Sequence, residues 1–306
     1  MPAPLIRLIR ADNPSPLTGP GTNTYLLGQG AVTVIDPGPN LDSHLAALLS
    51  ALQPGEHIAD ILLTHAHLDH SALIPRLVAA TGATVHAFGP ALSGRSPVMT
   101  TLAAQGLRSD EGADTVFAPD HLIADGQVLT LSDVTLTAWH LPGHMGCHMG
   151  FAVGSELFSG DHVMDWSTTL VSPPDGDMTA YMTSLDRLLT RDWTRFHPGH
   201  GPAVDAPAKR LTDLIHHRRT RENAILTRLR TDGPATCATL ATQIYTAIPA
   251  YLLPAATRNV LAHLIDLRCR GLVKPQPGPL ALSIFHLSST RDIFATAPLR
   301  PETTLL

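Results

Sequence analysis

Cysteine is scarce in this chain of 306 residues, and Cys147, Cys237 and Cys269 are odd in number and widely spaced. That argues against a disulfide framework and suits reduced thiols in a cytosol. No run approaches the roughly 20 apolar residues of a membrane span, so no membrane partner is expected. The opening residues, MPAPLIRLIR, lack the apolar stretch and cleavage site of a secretory signal, and the expected location is cytoplasmic. Aromatic residues make up only 5%, few for a surface that would stack a series of unpaired bases. No Ser-His-Asp arrangement is evident, so a serine nucleophile is not expected.

What the chain does have is a compact group of histidines. In Leu62-Leu63-Thr64-His65-Ala66-His67-Leu68-Asp69-His70-Ser71, three imidazoles and a carboxylate fall within six positions. Ile58 to Leu63 is apolar and β-prone, and Leu73, Ile74, Leu77 and Val78 recur at helical spacing, so the group sits on a strand-to-helix loop. His65 and His67 are two apart and project to one side of extended chain. Asp69 and His70 fall where the chain turns into the helix and face a second point nearby. Imidazole nitrogen and carboxylate oxygen suit zinc, with iron or manganese as alternatives. The loop reads as a cradle for two metal ions.

Further donors should then follow other strands. Val134 to Trp139 alternates apolar and polar residues and runs into His140-Leu141-Pro142-Gly143-His144, placing His144 at a strand end. Met149 to Val153 and Glu156 to Ser159 read as a hairpin about Gly154-Ser155, and its second strand ends at Gly160-Asp161. Thr194 to His197 leads into Pro198-Gly199-His200-Gly201, where two glycines allow close backbone approach. Cys147 reads as an incidental small residue rather than a metal-edge thiol. His148 and His162 read as solvated or hydrogen-bonded surface histidines. Trp166, in the loop leaving Asp161, is either a substrate contact or a core anchor.

The order HxHxDH, PGH, GD, PGHG resembles the metallo-β-lactamase superfamily of binuclear metallohydrolases. The resemblance implies two zinc ions: His65, His67 and His144 would hold one, Asp69, His70 and His200 the other, and Asp161 would bridge them. Asp69 is also the candidate catalytic group, accepting a hydrogen bond from the nucleophile. Asp161 stands where class B1 β-lactamases carry cysteine, which turns the expectation from antibiotic hydrolysis toward glyoxalase II, lactonase and nuclease relatives. Asp36, before Pro37-Gly38, stands where the superfamily keeps an acid that orients a metal-binding histidine; that role is preferred to a turn-capping one.

Around these motifs the chain reads as an α/β fold. Leu5 to Ile9, Thr24 to Leu27 and Ala31 to Ile35 open an antiparallel sheet, Asp42 to Leu52 is an amphipathic helix, and Thr84 to Phe88 is a further strand. Residues 89–126 have weak periodicity and read as an irregular insertion. Gln127 to Leu131 pairs with Val134 to Trp139, and Met178 to Thr190 is helical. Two β-rich halves, each faced by helices, make an αββα sandwich.

Charge divides the chain. Residues 1–205 carry 8 Lys and Arg against 20 Asp and Glu, a net −12, whereas residues 206–306 carry 13 against 6, a net +7. The basic part reads as helices over Lys209 to Arg230, Cys237 to Ala247 and Pro254 to Arg270, the last stopped by Gly271. Strands at Leu272 to Lys274 and Leu280 to Ile284 then flank a wing, as in a winged-helix module. The expected domains are a catalytic one over 1–205, a winged helix over 206–286 and a loosely held tail over 287–306. The Gly21-Thr22-Asn23-Thr24-Tyr25 segment and the linker around His217-Arg218-Arg219 resemble the lactamase-beta-2-like branch, which implies acyl-carrier-protein thioesterases in some members and endoribonucleases in others.

The expected activity is hydrolysis of an ester-like bond, such as a thioester or lactone of a small-molecule or acyl substrate, by a metal-bridging hydroxide. An endoribonuclease acting on single-stranded RNA through the basic module is the alternative, opposed by the acidic first part. A non-catalytic metal-binding regulator is the reading from another class. The oligomeric state is left open.

Overall fold

The second and third strands are buried on both faces, and successive residues along them enter different layers. The structure, a computed structural model, describes residues 5–109 and 112–288. One sheet holds β1 (Ile6–Arg10), β2 (Asn23–Leu27), β3 (Ala31–Ile35), β4 (His57–Leu62), β5 (Thr84–Ala87) and β6 (His121–Leu122) side by side in chain order. The first two pairings are antiparallel and the next three parallel. Leu26, Val32, Val34 and Ile61 face outward onto helices, joining Leu48 of α1 (Asp42–Ser50). The short α2 (Leu68–Ser71) leads to α3 (Ile74–Thr81), whose Ile74 and Leu77 join the same cluster. Tyr25, Leu27, Ile35 and Leu62, one residue out of phase, face inward instead.

The inward set meets Leu136, Ala138, Met149, Phe151 and Phe158 of a second sheet, and each fully buried side chain of this size contributes about 1.5–3 kcal/mol. That sheet comprises β7 (Val128–Leu131), β8 (Val134–His140), β9 (Met149–Val153), β10 (Glu156–Gly160) and β11 (Arg195–Pro198), antiparallel except for the parallel β10 and β11. After α4 (Pro97–Ala104), helix α5 (Met178–Leu188) comes between β10 and β11 in the chain, and its Ser184 donates to Pro142 O just past β8 at 2.8 Å. Its Asp177 cap accepts from the Thr179 and Ala180 amides. Arg187 donates to His140 O at 3.0 Å and lies over the Trp139 ring. The result is the αββα sandwich.

The expected irregular stretch over 89–126 is more ordered than its periodicity suggested. Ser96 Oγ accepts from the Met99 amide and Pro97 opens α4, while His121 and Leu122 extend the first sheet as β6. Only Val98, Met99 and Leu102 mark this helix as apolar, too short a pattern to stand out.

The chain divides into two compact units, Met1–Arg218 and Arg219–Leu306, and the division falls inside helix α6 (Pro207–Thr231). In the second unit, α7 (Cys237–Ile244) and α8 (Leu253–Cys269) accompany a three-stranded sheet of β12 (Ala235–Thr236), β13 (Val273–Pro275) and β14 (Ile284–Leu287), with β14 central. This is a winged helix, with one correction to the wing. Leu280–Leu282 is a single 3₁₀ turn, so the returning strand starts only at Ile284. Leu287, assigned to the tail by sequence, pairs with Val273; the remainder of that expected tail, from residue 289, lies outside the described residues.

Candidate metal centre

Each of the seven donors predicted from sequence sits just past the end of a strand, on one edge of the two sheets. His65, His67, Asp69 and His70 follow β4, His144 follows β8, Asp161 follows β10 and His200 follows β11. β4 ends at Leu62, the chain bends at Thr64, and His67 enters α2 with β-region backbone. That single helical turn carries Asp69 and His70 away from His65 and His67. Gly199 makes the approach of the last loop possible, since a β-carbon there would run into Asp161 and His70.

The structure brings all seven together. Among the described residues, the donor sets His65/His67/His144, His65/His70/Asp161 and Asp69/His70/His200 each have ligand atoms within 4.8 Å of one another. His67 Nδ1 is 3.0 Å from both His65 Nε2 and His144 Nε2, and His70 Nε2 is 3.3 Å from His200 Nε2. Asp161 lies between the two groups, with Oδ2 3.2 Å from His200 and 3.8 Å from His144, and Oδ1 3.5 Å from His70. Asp69 Oδ2 is 3.2 Å from His200 Nε2.

Such crowding fits a metal. Nitrogen ligands at about 2.0–2.1 Å around a tetrahedral ion sit roughly 3.3 Å apart, close to the spacings here. Asp161 Oδ1 is buried without a hydrogen-bond partner, a costly condition that a cation would relieve.

The outer ring atoms are anchored, as metal-binding histidines require. Thr64 Oγ1 is 3.0 Å from His65 Nδ1, His144 Nδ1 donates to Leu170 O at 2.7 Å, and His70 Nδ1 is 2.9 Å from Asp36 Oδ2. Asp36 also accepts from the Thr64 amide and hydroxyl, both at 2.7 Å. It therefore braces the loop as well as orienting His70, and its backbone takes a left-handed φ of 52° to do so.

Protonation follows the surroundings. Burial pushes His65 well below the ordinary histidine range and His67 down to about 3. Burial would also lower His70 and His200, but carboxylates outweigh it. Asp69, Asp161 and Asp36 hold His70 well above the ordinary range, and Asp161 and Asp69 raise His200 to about 9. Burial likewise opposes ionisation of Asp69 and Asp161, yet both stay well below the usual carboxylate range beside His70 and His200. Without a cation this end of the site thus stores protons, which a cation would displace.

Two histidines read as surface residues are fully buried. His148 stacks on His65 with centroids 5.0 Å apart, and its Nε2 accepts the Asp161 amide at 3.2 Å. His162 packs against Tyr181, its centroid 4.7 Å away. Cys147 is buried and burial raises its thiol to about 11, so it stays protonated. Trp166 is 41% exposed, lying against Gly19 and Gly201 beside His200 rather than anchoring a core. The contacts of Thr22 and Gly21 O to Asp69 and His200 went unread, although the segment Gly21 to Tyr25 stood out for its resemblance, and Thr169 and Leu170 O gave no signal in the sequence. The hydroxyl of Thr64, next to His65, offered a local one.

Residues 17–200 match the family described as the metallo-beta-lactamase superfamily, and residues 236–278 match the beta-lactamase associated winged helix domain. The chain is 32% identical over 271 residues to a beta-lactamase-like protein 2 homolog of Caenorhabditis elegans, spanning 87% of this chain and 85% of that one. It is 28% identical over 267 residues to an atrochrysone carboxyl ACP thioesterase of Aspergillus fumigatus, spanning 81% and 76%. In fold it is similar to a metallo-beta-lactamase family protein of Thermus thermophilus, with a TM-score of 0.72 at 23% identity over 92% of this chain and 98% of that one.

Proposed function

The chain belongs to the metallo-beta-lactamase superfamily, whose members are mostly hydrolases, and from that premise we propose that it hydrolyses thioesters or related acyl esters at a pair of divalent cations. One observation carries the reading: seven buried or half-buried donors converge as two groups that share Asp161. His65, His67 and His144 would hold one cation, Asp69, His70 and His200 the other, and Asp161 would join them. Five imidazoles and two carboxylates suit zinc first, with iron or manganese as alternatives. Bound there, such cations supply a water acidic enough to ionise near neutral pH and positive charge for a developing oxyanion.

The chain's own residues do the rest. Asp69 is the most accessible of the carboxylates, at 29% of its side chain, and His70 and His200 keep it ionised. It can therefore accept a hydrogen bond from the attacking water and orient it. Thr64, Asp36 and Leu170 fix the imidazole rings so that their donor nitrogens need no reorganisation.

The relative named as an ACP thioesterase supports an acyl substrate. So does charge, because a thioester carbonyl is neutral whereas RNA must approach residues 1–205 against a net −12. The net +7 of residues 206–306 is the observation that favours RNA as a second reading. No helix among the described residues is long and apolar enough to cross a membrane. We place the protein in the cytoplasm, where its three free cysteines stay reduced.

The test is a substrate panel of short acyl thioesters, a lactone and single-stranded RNA oligonucleotides, assayed with metal-loaded protein. Thioester turnover with RNA left intact is expected. RNA cleavage without ester turnover would replace this reading with the ribonuclease one. Tight metal binding with no turnover at all would leave a metal-binding regulator.

A further inference from the structure

Five consecutive residues, Gly21-Thr22-Asn23-Thr24-Tyr25, stand outside the donor set, yet every one of them holds part of the same donor group. Gly21 O accepts from His200 Nδ1 at 3.3 Å. Thr22 Oγ1 donates to Asp69 Oδ2 at 3.4 Å and is itself held by Asn13 Nδ2 at 2.9 Å. Asn23 brackets His200 on both sides: its amide donates to Gly199 O at 2.7 Å, and its Nδ2 donates to Pro198 O at 3.0 Å and to Gly201 O at 2.9 Å. Tyr25 adds a further hydrogen bond to Pro198 O at 2.8 Å. Thr24 Oγ1 donates to Asp36 O at 2.7 Å, and Asp36 in turn orients His70. His200, Asp69 and His70 are all reached from this one stretch of chain.

The other donor group is secured from elsewhere. Thr64 holds His65, while Thr169 Oγ1 at 3.2 Å and Leu170 O at 2.7 Å hold His144. Among the described residues no hydrogen bond runs from residues 21–25 to His65, His67 or His144.

We propose that Gly21, Thr22, Asn23 and Tyr25 form a positioning segment for one cation subsite through Asp69 and His200, so that separate parts of the chain tune the two subsites; Thr24 is set apart from them, because its partner Asp36 holds both His70 and, through Thr64, His65. The inference rests on the two-cation reading above. Its physical basis is that outer hydrogen bonds fix ligand rings and carboxylates before the ion arrives, and their loss typically weakens metal binding about 10–100-fold. The segment is suited to this task by its place. β2 lies in the first sheet, while Thr22 forms a β-bridge with His200, whose loop follows the second sheet. Strand β2 thus fastens the loops of both sheets to one rigid element.

Zn²⁺ titration of metal-free protein against a chromophoric chelator, with no substrate present, tests this. Thr22→Val keeps the side-chain shape but loses the bond to Asp69. Tyr25→Phe removes one hydroxyl and leaves Pro198 O still bonded to Asn23, so the fold has little reason to fail. Each should weaken one of the two dissociation constants about tenfold or more and leave the other within about twofold. Thr169→Val should weaken the other constant, and Thr22→Val with Thr169→Val should weaken both. Equal weakening of both constants by Thr22→Val or Tyr25→Phe, or no change in either, overturns the inference while the two-cation reading stands. A wild-type protein that takes up a single ion overturns both.

Discussion

At the scale of single residues, Asp161 has the least replaceable position, touching His144, His70 and His200 while one of its oxygens has no hydrogen-bond partner. Asp161→Asn preserves its volume but removes the charge between the two groups. Turnover should fall at least about 100-fold and bound metal should drop below two ions, with an unchanged circular dichroism spectrum. Wild-type turnover would remove Asp161 from the site. His148 and His162 matter to a different measurement, the stability of the chelated, metal-free protein. Burial holds His162 at about 3 and His148 well below the ordinary range, so both fold neutral. The unfolded chain takes up protons below about 6.5 that the folded one refuses, so stability is lost as pH falls from 6.5. His200, raised to about 9, acts in the opposite sense: its contribution is complete below 6.5 and is lost as pH rises through 9. Urea midpoints should therefore peak near pH 6.5 and fall by pH 4.5, with His162 alone costing on the order of 2 kcal/mol. The place of the seven candidate side chains past strand ends was legible, because each motif follows its own strand-like run in the sequence. The burial of His148 and His162 was not, because Asp161, which donates to His148, and Tyr181, which packs on His162, lie 13 and 19 residues away from them in sequence.

At the scale of elements, helix α6 shows how far a charge count falls short of geometry. Arg218, Arg219 and Arg221 look alike in sequence, and the +7 of residues 206–306 invites reading them together. At about 100° per residue they point different ways. Arg218 is buried, donating to Thr169 O with its guanidinium 5.1 Å from the Tyr181 ring, Arg219 is exposed, and Arg221 lies 4.5 Å over the Tyr245 ring. Arg218→Ala should cost about 3 kcal/mol in denaturant unfolding, and Arg219→Ala no more than about 0.5 kcal/mol. Equal effects would contradict the burial. Any RNA role must use exposed arginines such as Arg219 and Arg230. If they neutralise phosphates, their removal should flatten the salt dependence of binding by roughly 0.7 per lost contact. Short apolar, β-prone runs at β2 to β4 and alternation along β8 made the sandwich readable. The wing was less so, because Leu280 to Leu282 carries strand-like residues but closes a 3₁₀ turn after Pro279.

At the scale of the whole molecule, the sequence order of the motifs conveyed the family, while the sheet topology explains why that order works. Four separate strand ends must meet at one edge, and the contacts that bring them together span up to 179 residues, as from Gly21 to His200. No local pattern encodes such a pairing; it follows from stacking two sheets whose inner faces fit. The edge so formed is the proposed two-cation hydrolytic centre. The direct test is thioester turnover by metal-free protein as Zn²⁺ is added in measured equivalents. Turnover that rises with metal and levels off at about two ions per chain, with Asp161→Asn inactive throughout, is the predicted result. Full turnover in the metal-free protein, or a plateau reached with the first ion alone, would contradict it.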